Sequence, residues 1–445
     1  MINRLLVPAA MMLLLVLSPV LANPDPTAAA TRSAVEATLR SMEAAVLTGD
    51  ADAYLRHVCG DDSVFLQEQR MWAEDLKRHK PDRFTLRIID PAERAANEAA
   101  SKGEAQDASK APQPADADAD FPSEFGPDRA VFELEMSWEI TVPLADGEEG
   151  EPDHLDRTVS YPVVFERKDD QWLFRGERWI EVRAAENADN EEDDDAGEGN
   201  EPAKAGAAST RMNVVLCFPG FEEVAQRIAE VLPAVRAHVD EGFEQEVPHA
   251  QVVKIYPTMR HLQASIYLSY VDGLGGWNEP KESIKVLVRP NTQRGSLRTL
   301  LAHEYGHVAT FELGPKATDT PWWALEGVAE LCAEAFRRNG NRGVVERVRV
   351  WHKDDKLADF ASITDFRNTP RQFMGHVYTQ GHHMVGYISD RFGRTKRNNW
   401  FRAMANGASI DQATKDVLGL TGGFTQLDEE WRAELGKPEV EAQAN

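Results

Sequence analysis

The sequence predicts an α+β protein built from two domains, and three observations carry that prediction. Segments of helical period precede segments of strand period in the first 183 residues. An acidic, low-complexity stretch follows, and beyond it a few short strands give way to helices. With 445 residues there is chain enough for two or three domains, each with a sizeable core. The net charge of −25 leaves nothing to neutralise phosphates, which argues against nucleic acid and against an anionic membrane surface.

The chain starts "MINRLLVPAAMMLLLVLSPVLANPDP". Arg4 supplies a positive region, Leu5 to Leu17 an apolar run short for a bilayer, and Val20 and Ala22 a small-residue cleavage pattern. Residues 1–22 therefore read as a secretory signal peptide, predicting an exported protein, periplasmic or secreted, with no transmembrane segment in the mature chain. Cys59, Cys217 and Cys332 are too few for a disulfide framework. Cys217 and Cys332 fall in one predicted domain and could pair; buried free thiols are the other reading.

Residues 27–183 form the first predicted domain. Thr31 to Leu47 places Val35, Leu39, Met42 and Val46 at helical spacing. Asp50 can cap a second helix holding Tyr54, Leu55 and Val58, and a third runs from about Val64 to His79. Strands are expected over Phe84 to Ile89, Val131 to Val142, Val159 to Arg167 and Trp172 to Val182, the last two turning about Asp169 and Asp170. Residues 92–128, rich in Ala, Asp, Pro and Lys, read as a disordered insertion. Helices followed by a long antiparallel sheet resemble the SnoaL-like (nuclear-transport-factor-2-like) family, which implies a curved, cone-like sheet wrapped around the helices. His57 and His79, on predicted helices, read as surface or satisfied core histidines.

Residues 184–210, containing "AENADNEEDDDAGEGNEPAKAGAAS", read as a self-repelling interdomain linker. In the second predicted domain, 211–437, strand-like "NVVLCF" leads into a helix from about Phe221 to Val239. Strands are expected around Gln251 to Tyr256, Ala264 to Tyr270 and Ile284 to Val288, with helices from Ser296 onward. A small sheet against a helical half is the expectation.

The stretch "LAHEYGHVATFELGPKATDTPWWALEGVAEL" holds the candidate chemistry. Ser296 can cap a helix carrying His303 and His307, four apart, so their imidazoles leave the same face on successive turns. Two such nitrogens fit two corners of a tetrahedral zinc ion, and Glu304 projects beside it, placed to take a proton from a bound water. Pro321 suits the first turn of a second helix, with Asp319 available as its cap. That helix carries Glu326, nineteen positions after His307, and a helix–reversal–helix can return this carboxylate to the first helix's metal face. Three protein ligands and one open corner define a catalytic rather than a structural site. Glu330, one turn on, could accept the free N–H of a ligand histidine.

HEYGH, with eighteen residues between His307 and the Glu326 of "WALEGVAE", resembles the gluzincin metallopeptidases, the peptidase MA-like group. The resemblance implies one Zn2+ ion held by His303, His307 and Glu326, with Glu304 as general base. Trp323, Gly327 and Ala329 match the family's tryptophan, glycine and small residue. It further implies an oxyanion-stabilising tyrosine or histidine, which "HVYTQGHHMVGYISDRFG" would supply: Tyr378 first, with His382, His383 and Tyr387 as alternatives. "GGWNEPKESIKVLV" lacks the Gly-x-Met-Glu-Asn motif of the aminopeptidase branch, leaving endopeptidase as the default. The implied partner is a peptide or protein substrate. Two rival readings keep the metal: a zinc-containing binding protein with little or no peptidase activity, and a zinc hydrolase of non-peptide amides or esters.

Overall fold

The computed structural model describes residues 26–90, 93, 128–142, 151–183, 213–270 and 273–437. The predicted signal peptide, nearly all of the predicted insertion, and the predicted linker lie outside the described residues.

Three helices come first. Helix α1 (Pro26–Thr48) buries Val35, Leu39, Met42 and Val46, the stripe its spacing predicts. Asp50 caps α2 (Ala51–Leu55), its side chain accepting from the Ala53 amide, and Asp62 caps α3 (Ser63–Leu76) in the same way. Four antiparallel strands follow in the order β1-β2-β3-β4: Arg83–Ile89, Arg129–Val142, Asp153–Lys168 and Gln171–Glu177. Asp169 and Asp170 make the tight turn between the last two, both at positive φ (46° and 64°), as a two-residue hairpin requires.

The strand expected over Trp172 to Val182 is two strands in two sheets. Strand β4 ends at Glu177, just past Gly176 at φ 92°, and Ile180–Arg183 (β5) crosses to pair antiparallel with β6 (Val214–Cys217). Trp179, between them, explains the crossing: its ring packs 4.7 Å from Phe218 and 5.4 Å from Tyr256 in the second core. The second sheet runs β5-β6-β7-β9-β8, with β7 (Val252–Tyr256) parallel to β6 and to β9 (Ile284–Leu287). The short strand β8 (Gly276–Trp277) forms its antiparallel edge. Between β6 and β7 runs α4 (Glu222–Phe243).

The expected strand over Ala264 to Tyr270 is instead α5 (Met259–Ile266) followed by a turn. The apolar residues Ala264, Ile266 and Leu268 are spaced like one face of a strand, but burial does not alternate between them, and the Thr258 hydroxyl caps the His261 amide and starts a helix. The buried residues gather into two cores, one around each sheet, and Ala264 and Leu268 belong to the first sheet's core.

The helical half follows. Helix α6 (Arg294–Phe311) starts two residues before the expected cap Ser296, which lies inside it. In α7 (Trp322–Glu334), Pro321 is the capping residue rather than the first helical one, and Asp319 stays in a short 3-10 turn. The Trp322 amide donates instead to the Thr364 carbonyl at 2.8 Å, so no side-chain cap is needed. Then come α8 (Arg342–Lys353), α9 (Met374–Phe392), α10 (Arg394–Ala405), α11 (Ile410–Ala413) and α12 (Gly423–Leu435). All three cysteines are buried and free, so Cys217 and Cys332 do not pair. No helix among the described residues is long and apolar enough to cross a membrane.

Candidate metal centre

Three helices meet closely enough to assemble a site because glycines stand where they touch. A β-carbon on Gly306 (α6) would come within 3.0 Å of the Ala329 Cα on α7, and one on Gly327 (α7) within 2.5 Å of the Gly381 backbone on α9. A β-carbon on Gly381 would overlap the Trp323 carbonyl oxygen. Helix α6 is also held from behind, where the Tyr305 hydroxyl accepts from Arg236 Nε at 3.1 Å and lies 3.2 Å from Asp240 Oδ1.

On this scaffold His303 Nε2, His307 Nε2 and Glu326 Oε2 form a near-equilateral triangle. The histidine nitrogens are 3.3 Å apart, and the carboxylate oxygen lies 3.2 Å from the first and 3.4 Å from the second. A tetrahedral ion bound at about 2.0–2.1 Å sets its ligand atoms roughly 3.3–3.4 Å apart, so these atoms stand at the separations zinc demands. Glu326 Oε2 is buried and satisfied by no protein hydrogen bond, whereas Oε1 accepts from Trp322 Nε1 at 2.9 Å. An orphaned buried carboxylate oxygen facing two imidazole nitrogens is what a cation site requires. Burial opposes charge on Glu326, but the two histidines outweigh it and hold its pKa well below the usual carboxylate range.

Glu330 lies 3.0 Å from His303 Nδ1 and pairs with Arg337 through its other oxygen. That contact fixes which ring nitrogen of His303 is free to face the triangle. Burial opposes its charge too, yet His303 and Arg337 hold its pKa down to about 2.

Glu304 is 4% exposed and lies against the sheet edge at Gly276. Burial pushes its carboxyl above the usual range, against the pull of His303 and His307. Strand β8 presses on it so closely that a β-carbon on Gly276 would stand 2.6 Å from Glu304 Cδ.

Of the oxyanion candidates, Tyr378 is at the site. Its ring lies 6.3 Å from the His303 ring and 6.2 Å from that of Trp322, and the residue is 36% exposed. It stands in the second turn of α9. Though the residue is partly open, desolvation of its hydroxyl and the neighbouring Glu326 carboxylate push the phenol well above the ordinary value, keeping it a proton donor. The alternatives are engaged elsewhere: His382 Nε2 lies 2.8 Å from Glu334, His383 Nδ1 accepts from Trp431 Nε1 at 3.0 Å, and the Tyr387 hydroxyl meets Arg391. His79 is satisfied by Asp75 at 3.0 Å.

A second group of metal-type side chains among the described residues, Cys59, Asp61 and Glu166, already holds cations. Lys168 pairs with Asp61, and Arg175 lies 3.0 Å from Glu166 and 3.6 Å from Cys59 Sγ.

Sequence reasoning missed Trp322, Gly276 and Gly381. The doubled tryptophan in "PWWALEG" drew attention to Trp323, which is fully buried, while Trp322 is the one bonded to Glu326. The glycines carried no signal, because each matters only against a segment distant in the chain.

No protein-family model matches the chain, and no curated protein does. Among solved structures it is similar to the M1 zinc metallopeptidase of Deinococcus radiodurans, at 11% identity over 70% of this chain and 63% of that one, with a TM-score of 0.35. A mutant of that enzyme gives 10% identity, the same coverage and a TM-score of 0.35. The mutant bound to a Tyr-Ser-Ala substrate gives 12%, the same coverage and 0.33. The chain thus spans 63% of the length of these structures, and a likeness of that size fixes neither activity nor site.

Proposed function

We propose that the protein is a zinc-dependent peptidase. The observation that carries this reading is the triangle of His303 Nε2, His307 Nε2 and the orphaned Glu326 Oε2, with the buried Glu304 beside it. These three residues would hold one zinc ion, which when bound supplies a polarised, acidic water and a Lewis acid for the scissile carbonyl. Glu304 takes the proton from the attacking water at its carboxylate and returns it to the leaving amine; its raised pKa suits both roles. Tyr378 donates its phenolic proton in a hydrogen bond to the developing oxyanion. Glu330 orients His303 by accepting from Nδ1. The edge strand β8, whose Gly276 lies against Glu304, offers a peptide backbone a partner at the open edge of the sheet.

The apolar N-terminal run supports export of this enzyme, and the two cores support a division into domains at 27–183 and 211–437, with β5 reaching across. The test is digestion of a peptide library by the zinc-loaded protein beside its Glu304→Gln variant. Cleavage by the first alone is the expected result; equal inertness, or turnover of small esters but not peptides, would overturn the reading.

A further inference from the structure

Beside the metal triangle stands a group of half-buried rings, of which only Phe366 packs against the second core. Trp277, Tyr270 and Phe366 are mutually packed: Tyr270 lies 5.6 Å from Trp277 and 5.7 Å from Phe366, and Trp277 lies 5.5 Å from Phe366. All three are only half-buried, and neither core includes Trp277 or Tyr270. The group is tied to the site at both ends. Trp277 follows Gly276, the residue pressed against Glu304, and Phe366 packs 5.2 Å from Trp322, whose indole holds Glu326. An apolar surface left half-open beside reacting groups is where a substrate side chain gains most from burial.

The wall is fastened by the N-terminal sheet and its helices. Asp75, 5% exposed on α3, accepts from Arg367 at 2.7 Å and from the Ser269 hydroxyl at 3.1 Å. Arg367 follows Phe366 directly and lies over the Tyr267 ring at 5.2 Å. The backbone leading to Tyr270 is gripped from the same side: Trp138 Nε1 donates to the Leu268 carbonyl at 3.1 Å and Arg157 to the Tyr270 carbonyl at 2.9 Å. Two of the three rings therefore take their position from residues some 100 to 300 places earlier in the chain, as the bonded separations of 113 and 292 show.

We infer that Trp277, Tyr270 and Phe366 form a subsite for an aromatic or large apolar side chain of the substrate, and that Asp75 is a positioning residue setting that subsite through Arg367. The inference rests on the peptidase reading for its ligand class. It gives the N-terminal half a task in the chemistry: it builds one wall of the cleft. Asp75 touches no substrate, so its loss moves selectivity and leaves the reacting groups in place.

The experiment uses the full chain prepared with zinc, as wild type and as Glu304→Gln. The probes are glycine-rich peptides carrying one Phe, Leu, Ala or Asp, each with a free and an acetylated amino terminus. Binding to the Glu304→Gln protein is read by calorimetry and by tryptophan fluorescence; cleavage by the wild type is read by mass spectrometry. Burying an aromatic side chain predicts that the Phe peptide binds about tenfold or more tighter than the Ala peptide. Trp277→Ala and Phe366→Ala should erase that ratio. Asp75→Asn should raise KM for Phe peptides alone, with kcat and the Ala-peptide KM unchanged, and Asp75→Glu should recover part of the preference. Because Asp75 is buried, Arg367→Ala repeats the test from the exposed end of the contact. Equal binding of all four peptides overturns the subsite. A Phe preference that survives both Asp75→Asn and Arg367→Ala while the melting temperature falls overturns the positioning role. Tight Phe binding without any cleavage by wild type supports the subsite and sinks the peptidase reading instead.

Discussion

The backbone of Gly276 lies directly against the Glu304 carboxylate, so that an added β-carbon would stand 2.6 Å from Glu304 Cδ. The edge strand and the proposed base thus occupy adjacent space with no room for a side chain between them. Gly276→Ala should displace Glu304 and lower kcat by about 100-fold, the cost of misplacing a reacting group by an ångström or so, while circular dichroism stays native. An unchanged kcat in a correctly folded Gly276→Ala protein would show that Glu304 is not held by the strand.

Metal content should follow the triangle. The wild type should carry one zinc per chain by plasma mass spectrometry, and His307→Ala and Glu326→Gln should carry far less. Zinc at a hundredfold excess over its dissociation constant should stabilise the wild type by about 2.7 kcal/mol, raising its melting temperature, and leave Glu326→Gln unmoved. Glu330→Gln should still bind, but about 10–100-fold more weakly, since it removes only the support of His303.

Glu68 on α3 pairs with Lys254 on β7 and accepts from the Ser283 amide at 3.3 Å, with both charged side chains nearly inaccessible. Removing one partner, as in Glu68→Gln or Lys254→Met, should destabilise the protein by about 3–5 kcal/mol, because the other charge is left buried without its direct partner. The double variant Glu68→Leu with Lys254→Met should recover most of that loss in chemical denaturation. Losses that simply add would mean the two charges do not depend on each other.

Glu279, next to the edge strand, is pushed up to about 7 by burial and by the nearby Glu282 carboxylate, and it accepts from the Tyr267 hydroxyl at 2.9 Å. Its folded pKa lies above its unfolded value of 4.5, so the folded state binds the proton more tightly. That contribution to stability is complete below about pH 4.5 and disappears as the pH rises through about 7. Glu279→Gln should flatten this part of the stability profile and make the protein more stable than wild type at pH 8, by on the order of 1–3 kcal/mol. A wild-type profile that already lacks the slope, measured by urea unfolding across that range, would contradict the assignment.

The meeting of His303, His307 and Glu326 was legible because its information is local. His303 and His307 share one helix face, and the distance to Glu326 needs only a reversal between two adjacent helices. The helices of the first half were legible for a similar reason: α1 carries its own apolar stripe, and α2 and α3 each start at an aspartate cap. The errors arose where a local pattern met a distant partner. Trp172 to Val182 reads as one strand until Phe218 and Tyr256 draw Trp179 across to another sheet. Ala264, Ile266 and Leu268 sit two apart like one face of a strand, but Gln263, Tyr267 and Ser269 among them are buried as well. Gly381 and Asp75 could not be read at all: the first matters for Trp323 and the second for Arg367, and neither neighbour is near in sequence.

The passage of β5 into the second sheet has a consequence for any cut made in the acidic run. That run begins after Arg183, so severing it leaves Ile180–Arg183 on one fragment and Val214–Cys217 on the other, still zipped edge to edge. The nicked protein should travel as a single particle through gel filtration and fall into two pieces only in denaturant.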